Sequence, residues 1–230
     1  MHKTVSYRYL SHIVDEKTPT YGNGADVKIY KTEAIREGAV ANESALCMPV
    51  HSGTHIDLPC HFYEEGADIS AYDAAQWIFN KVLLVELFAK ETVIKEELIA
   101  VLKEQKDCKD TDLLLVKTGI ENFRSQKKFW YDNPGFHADL YDFLREKFPK
   151  LRAFGFDSIS LTHYQSPVLG RQAHRAFLNP EHPLLIIEDM HLQECCAEDS
   201  FEQVIVAPLR LRGSDGLPCS VIASLSTLQE

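Results

Sequence analysis

Three of the chain's ten histidines and one aspartate lie within HSGTHIDLPCH, residues 51–61. In an extended chain, alternate side chains point to opposite faces. The residues here that could bind a metal all occupy odd positions, so an extended segment would gather them on one face: His51, His55, Asp57 and His61. The even positions are mostly apolar or small. This spacing indicates a metal site rather than scattered surface histidines.

A straight strand cannot bring His51 and His55 to one ion. At ~3.3 Å per residue they would lie about 13 Å apart, whereas an imidazole nitrogen binds at about 2.1 Å. Gly53 allows the chain to bend, and Pro59 limits ladder hydrogen bonding. A helix would also bring positions i and i+4 together, but the glycine, β-branched residues and proline disfavour it. We therefore predict a kinked or irregular segment.

Neutral imidazoles together with one carboxylate suit Zn²⁺, Mn²⁺ or Fe²⁺. Three protein ligands would leave coordination positions open for water, whose pKa a divalent ion lowers towards ~7. His61 could bind a second ion or act as a general acid or base. Asp57 could bridge two ions, because a carboxylate has two oxygens. The donor types thus favour hydroxide chemistry at neutral pH.

A second group of candidate residues lies downstream. His174 falls within RQAHRAFL, residues 171–178, and Glu188 falls within LLIIED, residues 184–189. Glu188 ends an apolar strand, which is where α/β sheets usually place their sites. Asp189 competes for the same role, and the sequence barely separates the two carboxylates.

Short apolar runs predict the strands that must position these residues. Residues before about 80 are strand-like with little helix, and later segments alternate between helix and strand. This order predicts one α/β or α+β domain, 1–230, with a mixed sheet, because no repeat or linker divides the chain. The predicted strands are 82–87, 113–117, 184–188 and 204–207, with weaker candidates at 153–157 and 220–223; the predicted helices are 96–105, 138–148 and 171–178.

Composition excludes several classes of protein. The net charge is −10 over 230 residues, and no basic run is present, which argues against a nucleic-acid binder. No apolar run approaches the ~18 residues that a membrane span needs. The first ten residues show no signal peptide, and the six cysteines form no C-x-x-C pair. We therefore expect reduced thiols and a cytoplasmic location, with a small molecule as partner.

The segment 51–61 resembles the H-x-G-T-H-x-D-x-P-x-H signature of the cyclase family, which includes bacterial kynurenine formamidases and isatin hydrolases. Other stretches are also similar to this family: residues 61–70, 116–120, 154–161 and 207–223, and the late histidine and glutamate. The resemblance implies an α/β fold with a central mixed β-sheet or barrel-like core flanked by helices. It also implies a homodimer or homotetramer.

By this resemblance, one divalent ion, Zn or Mn, is bound by His51, His55 and Asp57. Some members carry a second ion, held by Asp57, His61, His174 and Glu188. Others hold one ion and leave His61 for proton transfer. The resemblance implies a metal-dependent hydrolase in which a metal-bound hydroxide attacks an amide-like carbonyl, and His61 or Glu188 is the catalytic acid or base.

The resemblance suggests an aryl formamide such as N-formylkynurenine, or a cyclic amide or lactone, as substrate. Phe62, Tyr63 and Trp77 could line an aryl pocket. Ser160 and His163 could face the site by position alone, and His163 has no assigned role. The alternatives are a non-hydrolytic cyclase or dehydratase of the same family, a non-catalytic metal-binding module with a closed site, and an interaction protein suggested only by the acidic charge.

Overall fold

Within residues 2–106 and 108–229, which this computed structural model describes, nine strands form one mixed sheet. Two further pairs of short strands lie outside it. In chain order the strands are β1 (His2–Tyr9), β2 (Lys28–Glu33), β3 (Glu43–Cys47), β4 (His55–Asp57), β5 (Ile78–Phe79), β6 (Val82–Glu86), β7 (Val93–Ile94), β8 (Leu113–Lys117), β9 (Gly135–Phe136), β10 (Ala153–Phe156), β11 (Leu185–Glu188), β12 (Phe201–Pro208) and β13 (Gly216–Gln229).

The sheet curls into a nearly closed, barrel-like shape. Its strand order is β5-β12-β13-β4-β11-β10-β8-β6, and β1 pairs with β13. Strands β6, β8, β10 and β11 are parallel, whereas β4 runs antiparallel between β11 and β13. Only residues 80–81 separate β5 from β6, the two ends of the path, and β12 also contacts β6. The mixed α/β fold with a barrel-like core is therefore confirmed.

Four α-helices occur in the described part of the chain: α1 (Glu96–Lys103), α2 (Lys127–Tyr131), α3 (Leu140–Lys147) and α4 (Pro167–Phe177). Helix α4 buries Gly170, Ala173, His174 and Phe177, an i, i+3, i+4, i+7 stripe that faces the core. None of the helices described is long and apolar enough to cross a bilayer.

Strand β8 shows why the central strands are apolar throughout. Leu113 and Leu115 pack into the core cluster that also holds Ile56 and Trp77. Leu114 and Val116 pack into the cluster formed with helices α1, α3 and α4. Alternate residues of a strand face opposite sides of the sheet. A strand that is covered on both faces therefore carries apolar side chains on both.

The predicted elements are present, with shifted boundaries. The helix predicted from residue 171 begins at Pro167, where proline is favoured in the first turn. The run predicted at 220–223 is the middle of the 14-residue β13, whose serines interrupt the apolar pattern. The run at 204–207 lengthens to β12, in which the polar Glu202 and Gln203 precede the apolar centre. These long strands pair with each other, so tertiary pairing extends them beyond their apolar centres.

Candidate metal centre

The six predicted metal-binding side chains meet at one place, although five structural elements supply them. The cluster comprises His51 from the loop before β4, His55 and Asp57 from β4, His61 from the 3₁₀ turn Pro59–His61, His174 from α4 and Glu188 from the end of β11. The convergence of the 51–61 segment with the two late candidates is thus a property of the tertiary structure.

Strand register brings the late glutamate to the early histidine. In the antiparallel pair β4–β11, His55 lies directly opposite Glu188. Directly opposed side chains of neighbouring strands share a face of the sheet. On the other side of β4, Asp57 is opposite Gly216 of β13.

Two glycines make room for His51. Gly53 has φ +64°, and this left-handed conformation turns the chain sharply just before β4. The predicted kink is therefore confirmed, because His51 lies outside the strand. At Gly216, a Cβ atom would lie 2.2 Å from Cε1 of the His51 ring. Only glycine at this position lets the ring reach Asp57, whose Oδ1 is 2.8 Å from His51 Nδ1.

Backbone carbonyls determine the tautomers of two buried histidines. His55 Nδ1–H donates to the Gly53 carbonyl at 2.8 Å, and His174 Nδ1–H donates to the Gly170 carbonyl at 2.9 Å. Since a carbonyl only accepts, Nδ1 must carry the proton in both rings. Each Nε2 is then directed at carboxylates: His55 Nε2 lies 3.3 Å from Glu188, and His174 Nε2 lies 3.5 Å from Asp57. Metal-binding histidines in proteins typically show this arrangement.

The two buried carboxylates favour positive charge at the cluster. Burial opposes protonation of His51, but Asp57 and Asp215 outweigh it and raise the pKa to about 9. Burial likewise opposes protonation of His174, but Asp57 and Glu188 raise its pKa to about 10. Despite its own burial, Asp57 has a pKa well below its ordinary value, since His51 and His174 stabilise its charged form. The site therefore attracts cations.

An unsatisfied nitrogen provides a test of whether a metal fits. His55 Nε2 is fully buried and finds no hydrogen-bond partner in the described structure, although it faces Asp57 and Glu188. A bound cation would satisfy it. Two donor sets have their ligand atoms within 4.8 Å of one another, namely His51, Asp57, His61 and His55, Asp57, Glu188. The residues fit one or two divalent ions sharing Asp57; the distances group His55 with Glu188, whereas the resemblance groups it with His51.

The structure distinguishes the two adjacent carboxylates that the sequence could not separate. Glu188 belongs to the cluster and accepts a hydrogen bond from Leu161 N–H at 2.6 Å. Asp189 is bound instead by Arg124, through Nε at 2.8 Å and a second nitrogen at 2.7 Å. Both oxygens of Asp189 are thereby occupied outside the cluster.

Asp215 is a site residue that the sequence reasoning did not assign. Its Oδ2 accepts from His61 Nδ1–H at 2.8 Å and from His51 Nε2–H at 2.9 Å. It lies in the turn immediately before Gly216, within a stretch already noted as similar to the family. A charged residue beside the glycines of GSDG was the available signal, but its partners are distant in sequence.

A cavity of about 340 Å³ opens beside the cluster. Phe62 lines it and stacks on the His174 ring, with centroids 4.8 Å apart. Other lining residues are Tyr21, Ile159, Ser160, Thr162, Pro167 and Arg171. These residues combine an aromatic wall with one guanidinium and three hydroxyl groups, those of Tyr21, Ser160 and Thr162.

The other predicted pocket residues lie elsewhere. Trp77 is buried in the core against Tyr72, and Tyr63 donates its hydroxyl to the Arg175 carbonyl at the surface. Neither Tyr63 nor Trp77 is among the described residues that line this cavity. Of the two residues suggested by position, Ser160 lines it. His163 instead donates a hydrogen bond from Nδ1–H to the Asn133 carbonyl.

On this mixed α/β fold, the clustered imidazoles and carboxylates form a site that could hold a metal ion. The model of the Cyclase family, described as putative cyclase, matches residues 9–163, so the chain belongs to that family. Membership accounts for the complete signature at 51–61.

Two curated relatives align over most of their length. The chain is 28% identical over 186 residues to kynurenine formamidase of Bacillus cereus (strain ATCC 10987 / NRS 248), covering 81% of each chain. It is 25% identical over 221 residues to cyclase-like protein 2 of Arabidopsis thaliana, covering 93% of this chain and 77% of the relative.

Solved structures share the fold. Isatin hydrolase A from Labrenzia aggregata superposes with a TM-score of 0.79 at 20% identity, covering 97% of this chain and 94% of that chain. A potential metal-dependent hydrolase with cyclase activity superposes with a TM-score of 0.74 at 23% identity, covering 96% and 98%. At these identities the likeness concerns the fold.

Proposed function

We propose that the protein hydrolyses an amide-like bond of a small aryl substrate, either an aryl formamide or a cyclic amide or lactone. One observation carries this proposal. His55 and His174 have their Nδ1 protons fixed by backbone carbonyls, and both Nε2 atoms face Asp57 and Glu188 beside a cavity. Such a prearranged donor set supports metal-assisted hydrolysis.

The proposed cofactor is Zn²⁺ or Mn²⁺, with one or two ions per subunit. When bound, it supplies Lewis-acid polarisation of the substrate carbonyl and acidifies a water molecule. With two ions, the ligands would be His51, His55, Asp57, His61, His174 and Glu188; with one ion, His61 would be left for proton transfer. Their donor set of imidazoles and carboxylates suits both ions.

His61 is the better proton-transfer residue of the two candidates. Its side chain is 28% exposed and lines the cavity, and its Nδ1–H donates to Asp215. That bond leaves Nε2 free to take a proton from the attacking water. The proton is then returned to the leaving atom as its bond to the carbonyl carbon breaks, nitrogen in an amide or oxygen in a lactone. Glu188 is buried, and its Oε1 already accepts from Leu161 N–H, so it is better suited to binding the ion.

The cavity supports a small aromatic substrate. Phe62 and Tyr21 offer aromatic surface, and Arg171 offers a guanidinium that can pair with a substrate carboxylate. The activities for which the relatives are named, kynurenine formamidase and isatin hydrolase, agree with an aryl amide or an aryl-fused cyclic amide. N-formylkynurenine and isatin are therefore the first substrates to test.

The test is a hydrolysis screen on protein stripped with a chelator and reloaded with Zn²⁺ or Mn²⁺. Aryl formamides, isatin-like lactams and aryl lactones are the substrates. We expect turnover to disappear on stripping, to return on reloading, and to be lost in His55→Ala. Full activity in metal-free protein, or no turnover of any class by loaded protein, would contradict the proposal.

A non-catalytic metal module is the second candidate. His51 and His61 are part-exposed and line the cavity, which favours an open site over a closed structural one. A module would unfold on chelation without hydrolysing any substrate in the screen.

A homodimer or homotetramer and a cytoplasmic location stay predictions, to be checked by light scattering and by cell fractionation.

A further inference from the structure

A second group of metal-capable side chains lies outside the proposed centre. It consists of His12, which follows β1, Glu121, in the turn after β8, and His191, which follows β11. One donor atom from each lies within 4.8 Å of the others. None of the three belongs to the cluster around Asp57.

Glu121 is a buried carboxyl group with no lysine or arginine side chain paired to it among the described residues. It is 6% exposed, and its Oε2 accepts from Leu192 N–H at 2.8 Å. Its Oε1 makes a short contact with His191 Nδ1. Among the ion pairs of the described residues, no lysine or arginine reaches Glu121, because the nearby Arg124 is engaged by Asp189. A buried carboxylate in this position favours a cation.

His12 directs a ring nitrogen that lacks a hydrogen-bond partner among the described residues towards that carboxylate. Its Nε2 is buried and, within residues 2–106 and 108–229, has no hydrogen-bond partner. It lies 3.5 Å from Glu121 Oε1 and 3.7 Å from Asp189 Oδ1. Burial and the Arg124 guanidinium lower its pKa to about 3, so the ring is neutral. A buried neutral imidazole normally satisfies both nitrogens, and here a ligand is missing.

Space is available for an ion to enter and for water to complete its coordination. His12 and His191 line a cavity of about 980 Å³, whose other walls include Ile13, Leu209 and Pro218. This cavity shares no lining residue with the one beside His61. The second cluster is therefore reached separately from the proposed active site.

We propose that His12, Glu121 and His191 form a second divalent-cation site of the zinc class. Two imidazoles and one carboxylate are a donor set that proteins use for Zn²⁺ with an open coordination position. The ion would join three chain segments that follow β1, β8 and β11. Its stabilising effect would come from cross-linking the N-terminal segment to the ends of two central strands.

The experiment counts bound Zn²⁺ by elemental analysis after dialysis against excess ion and removal of the unbound fraction. The double variant His12→Gln/His191→Gln should hold one equivalent fewer than the wild type, however many ions the Asp57 cluster holds. His182→Gln, which changes an exposed histidine, is the matched control and should lose none. Conversely, His55→Ala/Asp57→Ala should retain the equivalent assigned here.

A second measurement does not depend on any variant folding. Zinc-edge anomalous diffraction from wild-type crystals soaked in Zn²⁺ should show a peak bonded to His12 and His191, apart from any peak at Asp57. An unchanged stoichiometry in a folded double variant overturns the proposal. If the double variant does not fold, absence of the anomalous peak overturns it. Either result would leave the cluster as a hydrogen-bonded network only.

Discussion

The carboxylates of Glu188 and Asp189 bind different partners, although the residues are adjacent at the end of β11. Glu188 lies 3.3 Å from His55 Nε2, whereas Asp189 makes two hydrogen bonds to Arg124. Asp189 has φ +50°, a left-handed conformation that aspartate and asparagine tolerate better than most residues. One carboxylate therefore belongs to the candidate metal cluster and the other to a buried ion pair.

Because the two carboxylates bind different partners, we expect two isosteric substitutions to affect different properties of the protein. Glu188→Gln should lower metal affinity by at least ~10-fold, because it removes a charged donor while keeping an oxygen for Leu161 N–H. Asp189→Asn should instead destabilise the fold by about 3 kcal/mol, since it breaks a buried ion pair but keeps a tolerated backbone. Metal titration and urea unfolding separate the two effects. Loss of metal only in the Asp189 variant would contradict the assignment.

Asp215 orients two histidines of the centre from the solvent side. Asp215→Asn should reduce metal affinity or kcat/KM by about 10–100-fold, because His51 and His61 lose the carboxylate that accepts from them. Asp73→Asn removes an equal charge at another exposed position and serves as the control. Equal effects of the two changes would show that only net charge matters.

The absence of a side chain at Gly216 is required for His51 to occupy its position. Gly216→Ala would put a Cβ atom 2.2 Å from the ring, so the ring must move. A displacement on the order of 1 Å at a catalytic centre can cost ~100-fold in rate. Gly24→Ala is the control, since its φ is −84° and the nearest atom, the Tyr21 carbonyl oxygen, is 3.6 Å away. Wild-type kcat/KM in the Gly216 variant would refute this requirement.

The buried carboxyl group of Asp157 should make a pH-dependent contribution to the free energy of unfolding. Burial raises its pKa to about 6, despite hydrogen bonds from Thr118 and Gly119 that favour the charged form. Its pKa in the unfolded chain is about 4. Between these values the folded protein binds more protons, so this contribution to the free energy of unfolding falls as the pH rises from 4 to 6.

The measurement is urea unfolding of the wild type and Asp157→Asn at pH 4 and pH 7. The free energy of unfolding of the wild type minus that of the variant should be about 2 kcal/mol larger at pH 4 than at pH 7. Comparing the two proteins cancels the titration of other groups. A difference that grows towards pH 7 would mean that hydrogen bonding to the carboxylate outweighs its burial.

Much of the architecture was predictable because it depends on local patterns in the sequence. The apolar run of β8 indicated a buried strand, and strands alternating with helices indicated a mixed α/β fold. Residues 51–61 indicated a metal site because side-chain alternation and donor type are local properties. Gly53 predicted the kink for the same reason, since a left-handed φ favours glycine.

Tertiary structure alone decided which distant residues complete the site. The β4–β11 register places Glu188 opposite His55, and the β4–β13 register places Gly216 beside Asp57. Trp77 shows the converse, because its aromatic character suggested a pocket while packing assigns it to the core. The sequence by itself determined the donor types and the local bend. Strand pairing decided which donors meet, because register depends on contacts between segments that no local pattern encodes.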